Sequence, residues 1–267
     1  MKVDSVRLVY YSPTETSKQV VEAIAEGAQY KSLTRLVLTP PITKTMKIEE
    51  FGDELAIIGA PVYGGRIPVE AVSRLRGLKA NDSPAVLVVV FGNRAYEDAL
   101  LELKDIATEA GFVPVAGAAF IGEHSFSVSQ KPIAQGRPDD SDREKAHEFG
   151  RAIREKLDGV AGVDKFQPLK VPGNRPYRER GERSNDVAPT TKEDICIKCG
   201  RCAEVCPVAA ITIGDTVDTN PALCTFCSAC VKNCPADARV WEHPRILQAT
   251  EWLYTNFSER KEPEIYL

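Results

Sequence analysis

Residues 196–207 read C-I-K-C-G-R-C-A-E-V-C-P, and residues 224–235 read C-T-F-C-S-A-C-V-K-N-C-P. The pattern C-x2-C-x2-C-x3-C-P therefore occurs twice. Three closely spaced cysteines on a tight turn can reach three iron corners of one [4Fe–4S] cubane. The fourth, on the short helix that follows, points to the cubane of the other run. This spacing assigns Cys196, Cys199, Cys202 and Cys234 to one cluster, and Cys224, Cys227, Cys230 and Cys206 to a second. Pro207 and Pro235 lack a backbone donor and stop each helix just past its crossing cysteine.

Paired C-x2-C units also hold zinc, but a structural zinc site takes four ligands, usually as two separated pairs. Here each run carries four cysteines, the runs match, and together they use all 8 cysteines of the chain, leaving none for a disulfide. The stretch from Lys192 to Trp241 resembles the two-cluster bacterial ferredoxins. That resemblance implies a βαββαβ fold with internal pseudo-two-fold symmetry.

The chain has 267 residues, enough for one or two domains. A formal charge of −4 gives no reason to expect nucleic acid. No run of 18 apolar residues exists, so no membrane span is expected, and residues 1–11 read as a first strand rather than a signal peptide. Cysteines held for clusters point to a reducing, cytoplasmic setting.

Upstream, residues 1–160 alternate strands and helices. Strands are expected at 6–11, 33–38, 55–62, 85–91 and 112–121, and helices at 16–28, 69–75, 96–110 and 139–157. The continuous apolar run A-V-L-V-V-V-F, Ala85 to Phe91, has the pattern of a strand buried on both faces. Such alternation makes an α/β doubly wound parallel sheet of five strands. Residues 161–190 are rich in Pro, Gly and Arg and read as an extended, solvated linker. Their Arg175, Arg178, Arg180 and Arg183 are available to an acidic surface. The cluster domain then spans 191–241, followed by a C-terminal packing helix and tail, 242–267, with Ile246, Ala249, Leu253 and Phe257 on one face.

Three loops follow strands of the sheet at the edge where doubly wound folds bind ligands. The first holds Ser12, Thr14, Glu15, Thr16 and Ser17, hydroxyl-rich and opening a helix, which suits a phosphate. The second holds Pro61, Val62, Tyr63, Gly64 and Gly65, and the third Phe91, Gly92, Asn93 and Tyr96. Each pairs glycine with an aromatic ring able to stack on a planar group. On these residues the first 157 or so resemble a flavodoxin. That resemblance implies FMN, the strand order 2-1-3-4-5, and ring contacts from the second and third loops. Glu15 departs from the family pattern, where glycine is usual, and would set a carboxylate near the phosphate. Taken whole, the chain resembles the flavodoxin–ferredoxin fusion proteins of anaerobes.

The expectation is an electron-transfer protein with FMN, two [4Fe–4S] clusters and a redox partner protein. One alternative is a flavin-dependent reductase of a quinone, nitro compound or oxygen. His124, just past the fifth strand, is then its candidate acid or base. Another is a non-redox or sensory iron–sulfur protein with an empty flavodoxin-like domain.

Overall fold

The computed structural model describes residues 3–41, 49–181 and 184–267. Five parallel strands form the centre: β1 Ser5–Tyr10, β2 Ser32–Val37, β3 Leu55–Pro61, β4 Ser83–Phe91 and β5 Phe112–Ile121. Their spatial order is 2-1-3-4-5, as expected of a flavodoxin-like sheet. Helices α1 Thr16–Ala28 and α4 Asp140–Asp158 cover one face, and α2 Val69–Leu75 and α3 Ala99–Glu109 the other.

The two-residue period of a strand divides its side chains between two cores. Leu87 and Val89 of β4 pack towards Leu100 and Leu103 of α3, whereas Val86 and Val88 pack with Val21, Ile24, Phe149 and Ile153 of α1 and α4. Every residue of β4 is buried, which is why it reads as an unbroken apolar run. Between α1 and α4 the backbones nearly touch. A Cβ on Gly27 would lie 2.2 Å from the His147 carbonyl oxygen, and one on Gly150 would lie 2.1 Å from that of Ile24.

Three features differ from the sequence expectation. A sixth strand, Glu264–Tyr266, pairs antiparallel with β5 and makes the sheet mixed. A short parallel pair, Glu49–Phe51 with Leu78–Ala80, lies outside it. Three-residue strands are too short to show a period. Finally, α3 starts at Ala99 rather than at Tyr96, because Glu97 is left-handed at φ 43° and breaks the helical path.

Parts of the segment 161–190 are packed rather than solvated. Leu169 and Val187 are buried, and residues 174–180 are strapped along α3. Asp98 accepts from the Asn174 and Arg178 backbone N–H groups at 2.8 and 2.6 Å. Asp105 accepts from Arg175 at 2.6 Å and from the Tyr177 hydroxyl. Glu102 accepts from Arg180 at 2.6 Å and from Arg66 at 2.7 Å. The acidic surface that its arginines meet is thus the chain's own α3, while Arg183 lies outside the described residues.

The cysteine-bearing unit has the order βαββαβ. Thr190–Thr191 pairs with Arg239–Val240, and Ile211–Ile213 with Val217–Thr219. The one-turn helices α5 Arg201–Glu204 and α6 Ala229–Lys232 carry the third cysteine of each run, not the fourth as the spacing suggests: each ends two residues before the crossing Cys206 or Cys234. Left-handed residues recur at matching places, Lys198 with Phe226, Gly200 with Ser228 and Ala209 with Asp237, so the backbone repeats with the sequence. Helix α7, Pro244–Asn256, follows and packs through Ile246 and Leu253. Among the described residues no helix is long and apolar enough to cross a membrane.

Candidate functional site

Two cavities in the cysteine-bearing unit collect the eight thiols. One, of about 330 Å³, is lined by Cys196, Cys199, Cys202 and Cys234; the other, of about 320 Å³, is lined by Cys224, Cys227, Cys230 and Cys206. Each thus takes three cysteines from one run and the last from the other. Among the described residues no three His, Cys, Asp or Glu side chains converge as on a single metal ion. The Ala210 N–H donates to Cys206 Sγ at 3.2 Å, and the Ala238 N–H to Cys234 Sγ at 3.3 Å, a symmetric pair of backbone donors. Burial pushes the Cys227 thiol up to about 12 and Cys230 to about 11. Four thiols around each apolar cavity, with backbone N–H groups aimed at sulfur, fit [4Fe–4S] cubanes.

The cavities differ in surroundings. Cys199 is exposed, and Ile195 and Ile197 beside it are 43% and 67% exposed. Cys206, Cys224, Cys227 and Cys230 are all buried, with the sheet unit packed nearby. Arg74 of α2 donates to the Pro207 carbonyl at 2.6 Å. Lys232 meets Glu123 at 2.5 Å and the Ser127 carbonyl at 2.7 Å. Phe126 meets Trp241 edge-on at 5.7 Å.

A third cavity, of about 370 Å³, lies at the carboxyl ends of the strands. Of the expected flavin-loop residues, Thr14, Thr16, Pro61, Val62, Tyr63, Phe91 and Gly92 line it. The structure adds Val90 and Gly122 to Ser125, the last four directly after β5. The signal for these was available in G-E-H-S, which follows β5 at the same sheet edge. Ser17 is buried and its hydroxyl has no partner, while Ser12 Oγ accepts from the Lys18 N–H at 3.1 Å. An orphaned buried hydroxyl in the turn that opens α1, with Thr14 and Thr16 on the cavity wall, fits a phosphate group. Glu15 stands at φ 66° and turns its carboxylate outward to Lys18, 2.5 Å away, so it does not face the cavity.

Other expected contacts have different duties. Gly64 and Gly65, at φ 60° and 84°, form a two-residue turn closed by Tyr63 N–H to Arg66 O at 2.8 Å, the turn type that favours paired glycines. Asn93 donates to the Phe257 and Glu259 carbonyls at 2.6 and 2.8 Å. Tyr96 bonds Glu264 and Tyr266 at 2.6 and 2.7 Å. Neither residue lines the cavity: both hold the C-terminal tail. The place over Gly92 is taken by His124, since a Cβ there would be 2.4 Å from the imidazole. Burial, helped by Lys232 and Arg94, lowers His124 to about 4. The Phe126 N–H donates to its Nδ1 at 3.0 Å, which leaves the proton of the neutral ring on Nε2.

Tyr63 lines the third cavity, and its hydroxyl is held well above the ordinary tyrosine range by burial first and then by the Cys227 thiol and Tyr11. Tyr11 is raised in the same way by burial and then by Cys227.

Comparison with known proteins divides along the chain. Residues 178–238 match the family described as a 4Fe–4S dicluster domain. A ferredoxin of Rickettsia felis (strain ATCC VR-1525 / URRWXCal2) is 38% identical over 61 residues, which are 22% of this chain and 56% of that protein. The chain thus spans about half the length of this curated relative. Among solved structures, a flavodoxin from the domain Archaea is 15% identical with a TM-score of 0.38, covering 58% of this chain and 99% of its own. Oxidised flavodoxin 2 of Bacillus cereus is also 15% identical, with a TM-score of 0.41 over 57% of this chain and 99% of its own.

Proposed function

We propose that this chain, a flavodoxin-like N-terminal fold joined to a 4Fe–4S dicluster ferredoxin domain, is an electron-transfer protein that binds FMN at the sheet edge. Its cofactors would be arranged in a line to the surface. When bound, FMN exchanges one or two electrons and each [4Fe–4S] cluster exchanges one. One observation carries the reading: Lys232, two residues after Cys230 of the second thiol set, meets Glu123 on the wall of the third cavity at 2.5 Å. The second set, Cys224, Cys227, Cys230 and Cys206, then stands between the flavin site and the first set. The first set, through exposed Cys199 and the apolar Ile195 and Ile197 around it, faces a redox partner protein. Thr14, Thr16 and Ser17 would hold the phosphate, and Tyr63 and His124 would bound the ring. A neutral His124 with a low pKa is a poor proton donor at neutral pH, which favours a carrier over a reductase.

The test is anaerobic purification followed by rapid mixing with a low-potential one-electron reductant, watched at the flavin and cluster absorption bands. FMN should copurify, and electrons should redistribute between flavin and clusters faster than they enter. Y63L should slow that redistribution while retaining both cofactors. A protein without flavin, or flavin and clusters that titrate without exchanging electrons, refutes the reading.

A second reading, the flavin-dependent reductase fed by the chain's own clusters, draws on one further cavity. It measures about 780 Å³ and is walled by Phe126, Val128, Val231, Val240, Trp241 and Leu247. It lies beside Ser125 of the third cavity and Trp241 of the second thiol cavity, a place and lining that suit an apolar ring. Saturable turnover of a quinone or nitro compound in steady state would favour it.

A further inference from the structure

The internal repeat is broken at one buried position. After the crossing cysteine the first run continues P-V-A-A-I and the second P-A-D-A-R. Ala210 and Ala238 hold equivalent places, each donating its N–H to the crossing sulfur. The next residue is Ile211 in one half and Arg239 in the other. Arg239 is 2% exposed. Its guanidinium donates to Thr191 Oγ1, to the Val217 carbonyl at 3.5 Å, to the Pro189 carbonyl at 3.0 Å and to Thr219 Oγ1. Every one of these acceptors is neutral. Its Nε has no partner, and among the described residues no carboxylate pairs with it.

A buried cation without a counter-ion is costly, and proteins retain one where an anion offsets it. The arginine lines the cavity of the first thiol set. Cys202 of that set and Cys230 of the other share one small buried cluster with Val217. Two of its acceptors, the Pro189 carbonyl and Thr219, line the cavity of the second set. A cubane ligated by four thiolates is anionic and gains one further negative charge on reduction, and charge and hydrogen bonds at the sulfurs set its potential.

We propose that Arg239 is the shared counter-charge of the two clusters, a positioning residue that favours the reduced state of both. The proposal rests on the clusters being present, which the wild-type iron count checks separately. Because the charge lies between the thiol sets, its removal acts on both clusters rather than on one.

The test compares R239I, which restores the symmetry of the repeat, with R239K, which keeps the charge. Iron and acid-labile sulfide are counted in each, and both clusters are titrated against potential by electron paramagnetic resonance. R239I should keep its iron. At a fixed ambient potential the reduced-to-oxidised ratio of each cluster should fall about tenfold, equivalent to a one-electron shift of about 59 mV. R239K should stay within about threefold of wild type. Full iron in R239I with unchanged potentials, or with one cluster moved and the other not, overturns the proposal. If R239I fails to assemble, R239K decides: a ratio within about threefold of wild type supports the charge account, and a tenfold fall overturns it.

Discussion

Replacing Arg74 with methionine should loosen the contact between the sheet unit and the cysteine-bearing unit. The side chain is 4% exposed, and the methionine stem occupies much of the same path. Its guanidinium donates to the Leu38 and Thr39 carbonyls on its own unit and to the Pro207 carbonyl, 2.6 Å away, on the other. The first two bonds are lost from docked and separated states alike, so only the third biases docking. A hydrogen bond from a charged donor contributes about 1.5–3 kcal/mol, and a buried carbonyl left without it costs a similar amount. The docked-to-separated ratio should therefore fall roughly 10- to 150-fold. Hydrogen exchange read by mass spectrometry, on peptides covering residues 205–210 and 61–66, measures this on both faces. Both should exchange faster in R74M while the amides of β4 stay protected. Exchange unchanged within about twofold on both faces would show that Pro207 is not a docking contact.

The thiol sets predict that C206A, although it alters the first run, depletes the cluster of Cys224, Cys227 and Cys230. Loss of the other cluster's resonance signal instead would reverse the assignment. For E15G, relief of a left-handed φ of 66° should raise thermal stability by about 1 kcal/mol and leave FMN affinity within about twofold; tighter FMN binding would mean that the carboxylate does reach the phosphate. His124 has a folded pKa of about 4 against an ordinary 6.5, so folding favours its neutral form. Its contribution is complete above pH 6.5 and is lost as pH falls through 6.5 towards 4, with about 2 kcal/mol gone by pH 5. Urea unfolding of wild type should therefore weaken more between pH 7 and 5 than that of H124Q, and parallel pH curves would contradict the assignment.

What the sequence disclosed follows from how local each signal is. The cysteine runs are legible because the ligand geometry is written into contiguous spacing. The central strands β3 and β4 are legible because two buried faces demand unbroken apolar runs such as Ala85 to Phe91. The flavin loops were legible by position but less so by residue. Thr14, Tyr63 and Phe91 line the cavity as expected, whereas Asn93 and Tyr96, with equally suitable chemistry, hold the tail. Nothing local separates these cases, because the partners of Asn93 lie at Phe257 and Glu259. The strap was misread for the same reason. Its arginines look solvated until Glu97, just before α3, and Glu102 and Asp105 on α3 are seen to meet them. A helix that is acidic on one side carries no mark of which distant cations will cover it.

The cysteine-bearing unit is entered by the strap, anchored as far as Arg180 on Glu102, and left by α7 and the tail, anchored from Asn93 to the strand on β5. The tail also covers the open edge of β5 with backbone pairing, which an exposed parallel edge otherwise lacks. Chain held at both ends keeps the unit at high effective concentration against the sheet, so docking needs only a few directional contacts. Arg74 to Pro207, Lys232 to Glu123 and Phe126 to Trp241 are contacts of that kind. Their task is to select one orientation, with the second thiol set turned inward and Cys199 of the first turned outward. A weak but directional interface between tethered units is enough for that selection, because each wrong orientation leaves the buried guanidinium of Arg74 without the Pro207 carbonyl.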